Sequence, residues 1–171
     1  YFDRFRSRIM FPIHNTSAKI VGVAGRVFKS DDPAKYINSP ETPIYSKSSI
    51  LFGLYQTKKD VREKNQIIIV EGYMDFLQLY QSGIQHIAAV SGTALTDGQA
   101  REIRKFTNNV AVSYDGDKAG IAAAIRAGYV LLKNGLTPSV VVIPNGIDPD
   151  DWIKKDGPAP FLVAVENSEN V

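Results

Sequence analysis

Apolar and polar positions alternate along the first part of the chain in two short runs. The runs Arg8 to Ile13 and Lys19 to Val27 are separated by a few polar residues, which predicts an antiparallel hairpin. Residues 30–45 carry three prolines and little periodicity, so we expect a long loop there, ordered or disordered. From about Leu51 to Lys64 the apolar residues return with helical spacing.

After this helix, short apolar runs alternate with helical segments. The runs are bounded by polar residues, as buried strands of a parallel sheet are. They lie at residues 66–70, 86–89, 109–113 and 139–143. Helical patterns lie at residues 73–82, 97–106 and 118–134, and a short helix is expected near Trp152. This order predicts right-handed crossovers and a Rossmann-like α/β domain with about four mainly parallel strands between helices.

The two patterns predict two units in this chain of 171 residues. We expect residues 1–64 to form a small mixed α/β subdomain that contains the hairpin, and residues 65–171 to form the α/β domain. The first portion has 12 Lys and Arg against 6 Asp and Glu, whereas the second has 8 against 12. A basic portion beside an acidic one offers one surface for phosphates and another for metal ions.

Composition excludes several classes of protein. The chain has no cysteine and two histidines, His14 and His86, so a disulfide framework is excluded and we expect no zinc site. No apolar run approaches the length of a membrane span, and the first residues resemble no targeting peptide. We therefore expect a soluble, cytoplasmic protein that makes no contact with a membrane.

Acidic residues follow two of the predicted strands directly. Glu71 comes after the first strand, and Asp115 and Asp117 come after the third. Ligands of open α/β sheets bind at the carboxyl ends of the strands, and gathered carboxylates repel one another unless a cation neutralises them. This pattern predicts a magnesium site, with manganese as a substitute. Taken singly, Glu71 could be a first-turn glutamate and Asp117 a helix N-cap.

Three motifs carry a resemblance to a known family. They are Glu71 to Asp75 (EGYMD), Asp115 to Gly120 (DGDKAG) and Asp148 to Asp150 (DPD). Together they resemble the TOPRIM domain, the catalytic fold shared by topoisomerases and primases, as it occurs in bacterial DnaG-type DNA primases. Upstream, DRFR, MFPI, GRV and KYINSPET resemble the nucleotide-handling subdomain of those enzymes. The likeness runs in unbroken order from about Tyr1. Because the sequence begins inside one of these motifs, we expect a fragment of a longer protein.

The resemblance implies roles for the acidic residues. Glu71, Asp115 and Asp117 match the catalytic acids that bind magnesium in the family, and Asp148 and Asp150 match further acids beside the same site. For Asp150, capping of the helix near Trp152 is as good an interpretation as direct ligation. We expect Asp75 to support the helix and loop from outside the metal shell. Asp151 is interpreted as a helix-start acid.

The resemblance also implies a groove for template and incoming nucleotides. The matching residues are Arg4, Arg26, Lys35, Tyr36, Asn38 and Lys47. Cationic side chains bind phosphates, and aromatic faces stack on bases of single strands. The alternatives are solvated surface charges and, for Tyr36, a packing role. Ala34 stands where the family commonly has proline, which affects the loop more than the chemistry.

The expected activity is synthesis of short RNA primers from nucleoside triphosphates on a single-stranded DNA template at the bacterial replication fork. Its cofactor would be Mg²⁺, in a two-metal in-line displacement with no covalent nucleophile. A replicative helicase would be engaged through a domain that this sequence does not show. The alternatives are a TOPRIM topoisomerase or nuclease acting on DNA phosphodiesters, and a non-catalytic TOPRIM DNA-binding module. The primase-like first portion and the retained acids argue against them.

Overall fold

The computed structural model describes residues 3–28 and 33–171, which form two sheets and six helices. The strands are β1 (Arg8–His14), β2 (Ile20–Val27), β3 (Tyr36–Asn38), β4 (Ile67–Val70), β5 (Ile87–Ala89), β6 (Asn109–Val112), β7 (Thr137–Val140) and β8 (Glu169–Asn170). The helices are α1 (Leu54–Lys64), α2 (Tyr73–Gln81), α3 (Asp97–Ile103), α4 (Lys118–Lys133), α5 (Pro149–Asp156) and α6 (Pro158–Glu166). None of the helices in these ranges is long and apolar enough to cross a membrane.

The first sheet is antiparallel and has the order β1-β2-β3. Its hairpin pairs Arg8 with Val27 at one end and Ile13 with Gly22 near the turn, which confirms the predicted hairpin. Strand β3 lies inside the segment for which we expected a loop, and it pairs with β2 from Ala24 to Arg26. The first part of that loop, residues 30–32, lies outside the described residues. A strand of three residues that pairs with a distant segment is too short to show an alternating pattern of apolar residues in the sequence.

The second sheet has the order β5-β4-β6-β7-β8, and its first four strands are parallel. All four residues of β4 are fully buried, because helices cover both faces of the sheet. Ile67 and Ile69 face the apolar layer formed with α1, α3 and α4, whereas Ile68 and Val70 face the layer formed with α2, α5 and α6. This alternation follows from the two-residue period of a strand. The expected α/β class is confirmed.

The edge of this sheet differs from the sequence prediction. Strand β8 adds a fifth strand, antiparallel to β7. Strand β7 spans Thr137–Val140 rather than residues 139–143, because pairing with β6 begins at Thr137 and includes Pro138. The apolar residues Val141 and Ile143 are buried beyond the end of the strand. Helix α3 ends at Ile103, three residues before the predicted end.

Helix α1 packs on the parallel sheet although it precedes residue 65. Leu54 and Val61 lie in its apolar core, and the Thr57 hydroxyl donates to the Ile87 carbonyl at 2.7 Å. Phe52 and Ala89 exchange two backbone hydrogen bonds at 2.9 and 3.0 Å. The division at residues 64 and 65 stays a prediction, and the packing of α1 joins the two portions closely.

Gln99 ties the long connecting segment to the start of α3. A capping box is present, since Gln99 N–H donates to Thr96 Oγ1 and Thr96 N–H donates to Gln99 Oε1, both at 3.1 Å. The Gln99 amide also donates to the carbonyls of Lys47 and Ile50, at 3.1 and 3.0 Å. The residue is fully buried, so these hydrogen bonds join the segment to α3 at a position that water does not reach from the Gln99 side.

Replacing Gln99 with leucine should destabilise the protein by about 2 kcal/mol or more, because the Lys47 and Ile50 carbonyls lose the amide that donates to them while the side chain changes little in size. Urea unfolding at neutral pH measures the effect. The control is Gln81→Leu, at an exposed position of α2, which should change stability by less than about 0.5 kcal/mol. If the two substitutions changed the free energy of unfolding equally, the hydrogen bonds of Gln99 would contribute no more to stability than an exposed glutamine does.

Candidate functional site

The chain reverses its winding direction between β4 and β6. Helix α2 leads from β4 to β5 on one side, and α3 leads back to β6 on the other side of β4. The carboxyl ends of β4 and β6 therefore border a crevice of the kind that binds ligands in open α/β sheets. Their register is fixed by Ser113 N–H, which donates to the Ile69 carbonyl at 2.8 Å. Glu71 and Asp115 stand directly beyond these two strand ends.

The Glu71 carboxylate lies against the start of the β6–α4 loop. Burial raises the pKa of Glu71, the charge of Asp115 raises it further, and the backbone N–H of Asp115 opposes this by hydrogen bonding to the carboxylate. Asp117 adds a smaller raising effect. The structure thus brings together the three acids that the sequence predicted at the two strand ends.

Close backbone contacts bring a third loop to the same place. Gly116 N–H donates to the Ile147 carbonyl at 2.9 Å, and a Cβ on Gly116 would lie 2.2 Å from the Pro144 carbonyl oxygen. Gly116 does not have a positive φ, so close approach rather than loop conformation requires glycine. This contact brings Asp148 to the crevice. Burial raises the pKa of Asp115, and the charges of Asp148 and Asp117 raise it further.

Two of the predicted ligands also cap helices. Asp117 Oδ1 accepts from Gly120 N–H at the start of α4, and Asp148 Oδ1 accepts from Asp151 N–H at the start of α5, both at 2.7 Å. The interpretation of Asp117 as a helix N-cap is therefore confirmed. Each cap hydrogen bond engages one carboxylate oxygen, and a second oxygen is left for a cation.

Asp150 does not cap α5, contrary to one of our two interpretations. Its Oδ2 accepts from Lys154 Nζ at 2.6 Å, one turn along the helix. Its Oδ1 is buried and has no hydrogen-bond partner within the described residues. An unpaired buried carboxylate oxygen is costly, so a ligand at this position would relieve it.

A tight group of three carboxylates stands at the start of α5. One oxygen each from Asp148, Asp150 and Asp151 lies within 4.8 Å of the others. From the sequence Asp151 is interpreted as a helix-start acid; it does lie in the first turn of α5, but its place in this group was not predicted. The signal was present in the run DPDD after a predicted strand. In residues 3–28 and 33–171, Glu71, Asp115 and Asp117 do not form a group this close.

Asp75 lies behind the loop that carries Glu71. It is 8% exposed, and its Oδ2 accepts from Gly72 N–H at 3.0 Å. The backbone N–H of Asp150 lies near enough to favour the charged form of this carboxyl. Asp75 therefore lies between the β4–α2 turn and the start of α5, a position that is compatible with the supporting role predicted from the sequence. Gly72 is extended at φ −115°, so its lack of a side chain matters for contact with Asp75 rather than for the turn.

Burial raises the pKa of Asp75 to about 7, and the charges of Asp148 and Asp115 contribute to the shift. The backbone N–H groups of Gly72 and Asp150 limit it. Burial is the largest cause of the raised pKa values of Asp75, Glu71 and Asp115. The charges of neighbouring acids raise all three further, so the carboxylates lie close enough to repel one another.

One predicted basic residue of the first portion, Lys35, approaches this acidic crevice. It is close enough to Asp115 for its charge to lower the pKa of that carboxyl against the stronger raising effects. Arg26 lies over the Tyr36 ring, 5.9 Å from its centroid. Lys47 lines a small cavity together with Tyr73 and Ser91. Arg4 is exposed, and its place in a groove stays a prediction.

Tyr36 and Asn38 are also joined to the second sheet. The Tyr36 ring packs against Tyr73 and Phe11, with centroids 5.5 and 6.5 Å apart, so its packing interpretation has support. The Tyr73 hydroxyl donates to Asn38 Oδ1 at 2.9 Å. Since Tyr73 begins α2, two residues after Glu71, strand β3 is connected to the acidic loop through one tyrosine.

The donor set fits a hard divalent cation. All candidate ligands are carboxylate oxygens, as Mg²⁺ and Mn²⁺ prefer, and the buried Asp150 Oδ1 is available. The residues that could hold such ions are Glu71, Asp115, Asp117, Asp148, Asp150 and Asp151. The Asp148, Asp150 and Asp151 group could hold a metal on its geometry alone.

In the metal-free protein, the free energy of unfolding should depend on the protonation of Asp75. The folded state keeps a proton up to pH about 7 that the unfolded chain releases near pH 4, so this stabilisation is complete at low pH and is lost as the pH rises through 7. The slope for one proton is at most about 1.4 kcal/mol per pH unit. Urea unfolding in EDTA between pH 5 and 8 should show a smaller decline for Asp75→Asn than for wild type. Parallel curves would contradict this assignment.

Comparison with known proteins agrees with the fold. Residues 1–58 match the family model described as DNA primase catalytic core, N-terminal domain, and residues 68–153 match the model described as Toprim-like. The chain is 41% identical over 169 residues to the DNA primase of Staphylococcus aureus strain COL, and 43% identical to that of Staphylococcus epidermidis. Each match covers 99% of this chain and 28% of the relative, so the chain spans less than a third of their length.

Solved primase structures have the same fold. The zinc-binding and RNA polymerase domains of the Aquifex aeolicus primase match with a TM-score of 0.96 and 39% identity, over 100% of this chain and 42% of that one. A DnaG primase catalytic domain bound to single-stranded DNA matches with a TM-score of 0.89 and 40% identity, over 98% of this chain and 55% of that one. The chain therefore belongs to the bacterial DNA primase family, with the N-terminal part of the catalytic core followed by the Toprim-like domain.

Proposed function

We propose that this chain is the part of a DNA primase that synthesises short RNA primers from nucleoside triphosphates on single-stranded DNA. The observation that carries the proposal is the meeting of two charged surfaces at one crevice. Carboxylates from three loops of the parallel sheet converge there, and Lys35 approaches Asp115 from the antiparallel sheet. Nucleotidyl transfer needs this combination, since it must hold cations and polyphosphate side by side.

The acids Glu71, Asp115, Asp117, Asp148 and Asp150 would hold Mg²⁺, with Mn²⁺ as a substitute. When bound, such ions activate the attacking 3′-hydroxyl and neutralise charge on the leaving pyrophosphate. The protein's own contribution is to present carboxylate oxygens from rigid strand ends. The Glu71 carboxylate lies against the Asp115 backbone, and Asp75 holds the turn behind it through Gly72 N–H. Glu71 could also accept the proton of the 3′-hydroxyl.

The basic residues would position phosphates and template. Lys35, directly before β3, and Arg26, on the neighbouring strand β2, provide cationic side chains, and Tyr36 offers a ring that packs partly against protein. Asn38 is held by Tyr73 with its amide next to the Ser91 carbonyl. Arg4 and Lys47 complete the proposed groove. The relative solved with single-stranded DNA supports a DNA template as partner.

Nucleoside triphosphates, an RNA primer and a replicative helicase are further proposed partners, the helicase through a part of the protein outside this chain. The proposed location is the bacterial replication fork in the cytoplasm. Of the functions considered, primer synthesis is the one that accounts for the match of residues 1–58 to a primase core domain. Neither the topoisomerase or nuclease alternative nor the binding-module alternative gains support from the site.

Substituting Glu71 with glutamine should lower primer synthesis by about 100-fold or more, because it removes charge and basicity while it keeps the shape of the side chain. The assay uses the full-length primase with a single-stranded template at saturating Mg²⁺. Template affinity should stay within about threefold of wild type. Glu63→Gln, at an exposed position of α1, is the matched control and should retain full activity. Activity of Glu71→Gln within a few-fold of wild type would remove this residue from the site.

Replacing Lys35 with alanine should weaken binding of single-stranded DNA of any sequence. The slope of log affinity against log salt should also become shallower by about 0.7, since one phosphate contact is lost. Fluorescence anisotropy with a labelled oligonucleotide measures both quantities. The control is Lys59→Ala, on the exposed face of α1, which should leave the slope unchanged. If both variants weakened binding equally, net charge rather than a groove would account for affinity.

A further inference from the structure

Lys154 contacts the carboxylate group that Asp148, Asp150 and Asp151 form at the start of α5. Its Nζ lies 2.6 Å from Asp150 Oδ2. The Asp150 side chain is 12% exposed, whereas that of Lys154 is 50% exposed. The carboxylate is therefore fixed in the protein, and the lysine reaches it from the solvent side.

The ammonium interacts with more than one acid. The hydrogen bond to Asp150 raises the pKa of Lys154, and the charges of Asp150, Asp151 and Asp148 add to this effect. These are the three acids whose oxygens lie within 4.8 Å of one another. Lys154 thus reduces the mutual repulsion of the group that would bind a divalent ion.

An ammonium and a divalent cation would compete for the same oxygens. A metal ion at Asp150 would use Oδ2, which Lys154 occupies, or the neighbouring buried Oδ1, where the two positive charges would repel each other at short range. The ammonium can leave without being stranded. Residue Lys154 belongs to the last turn of α5, where the helix dipole favours a cation once the ammonium has left Asp150, and half of its side chain is already in solvent.

We propose that Lys154 is an internal counter-ion that occupies the Asp150 end of the carboxylate group and lowers its affinity for divalent cations. Ammonium and metal exclude each other there, so the lysine sets the metal concentration at which this end of the site fills. This inference rests on the proposed function, because it takes the acidic group as a metal site. It concerns a residue that is not itself a ligand.

The test is a Mn²⁺ titration of three variants, followed by the electron paramagnetic resonance of the free ion. Lys154→Gln should bind Mn²⁺ about three- to tenfold more tightly than wild type at low ionic strength, since one unit charge is removed beside the ion. The gain should shrink at high salt, because salt screens charges near the surface. Lys154→Arg keeps the charge and should stay close to wild type.

Lys155→Gln is the matched control. It makes the same change in net charge one residue further along α5, at an exposed position with no recorded ion pair in the described part of the chain. It should shift the affinity by less than about twofold. Equal gains for Lys154→Gln and Lys155→Gln would overturn the proposal, because they would show only a general charge effect.

The other outcomes are separable from failure of the proposed function. If wild type binds Mn²⁺ and Lys154→Gln binds it equally or more weakly, the counter-ion proposal is wrong while the metal site stands. If neither protein binds Mn²⁺, the counter-ion proposal is wrong. If, in addition, Asp115→Asn has no effect on primer synthesis, the proposed function fails as well. A reciprocal readout is the ¹⁵N resonance of the Lys154 ammonium, which should move when Mg²⁺ is added. An unmoved resonance at saturating Mg²⁺ would contradict the proposal.

Discussion

Pairing of β4 with both β5 and β6 is the constraint on which the site depends. Because β4 is parallel to both neighbours and buried on both faces, its end is fixed in position and direction. The loop after β4 must then leave beside the loop after β6, which puts Glu71 against the Asp115 backbone. The helices that cover the two faces make this arrangement stable. The chemistry of the site is a consequence of where a parallel sheet changes direction.

This arrangement gathers charge that the protein itself would not favour. Burial and like charges raise the pKa values of Glu71, Asp75 and Asp115 together. The apolar layers on the two sides of the sheet supply the stability that holds these groups in place. Local hydrogen bonds to backbone N–H groups and the Asp150–Lys154 pair then limit the cost. A metal ion would complete the neutralisation that these contacts begin.

Much of this could be predicted from sequence because the signals are local. The run Ile67 to Val70 followed by Glu71 shows a buried strand ending in an acid within a few residues. What could not be predicted rests on contacts between distant segments. Gly116 meets the Pro144 carbonyl, and strand β8 pairs with β7, only after the chain has folded back. The Asp150–Lys154 spacing is visible in the sequence, but its meaning depends on where α5 begins.

The two sheets contribute to one site because aromatic packing joins them. The Tyr73 ring lies between Phe11 and Phe52, at 5.2 and 4.8 Å between centroids, and its hydroxyl holds Asn38. Tyr73 is 3% exposed and opens the helix that follows Glu71. A movement of β3 would therefore be transmitted to the acidic loop through a rigid ring rather than a flexible chain. Lys35, which directly precedes β3, and the carboxylates are held at a fixed spacing for this reason, and a fixed spacing is what the binding of phosphate beside a metal ion requires.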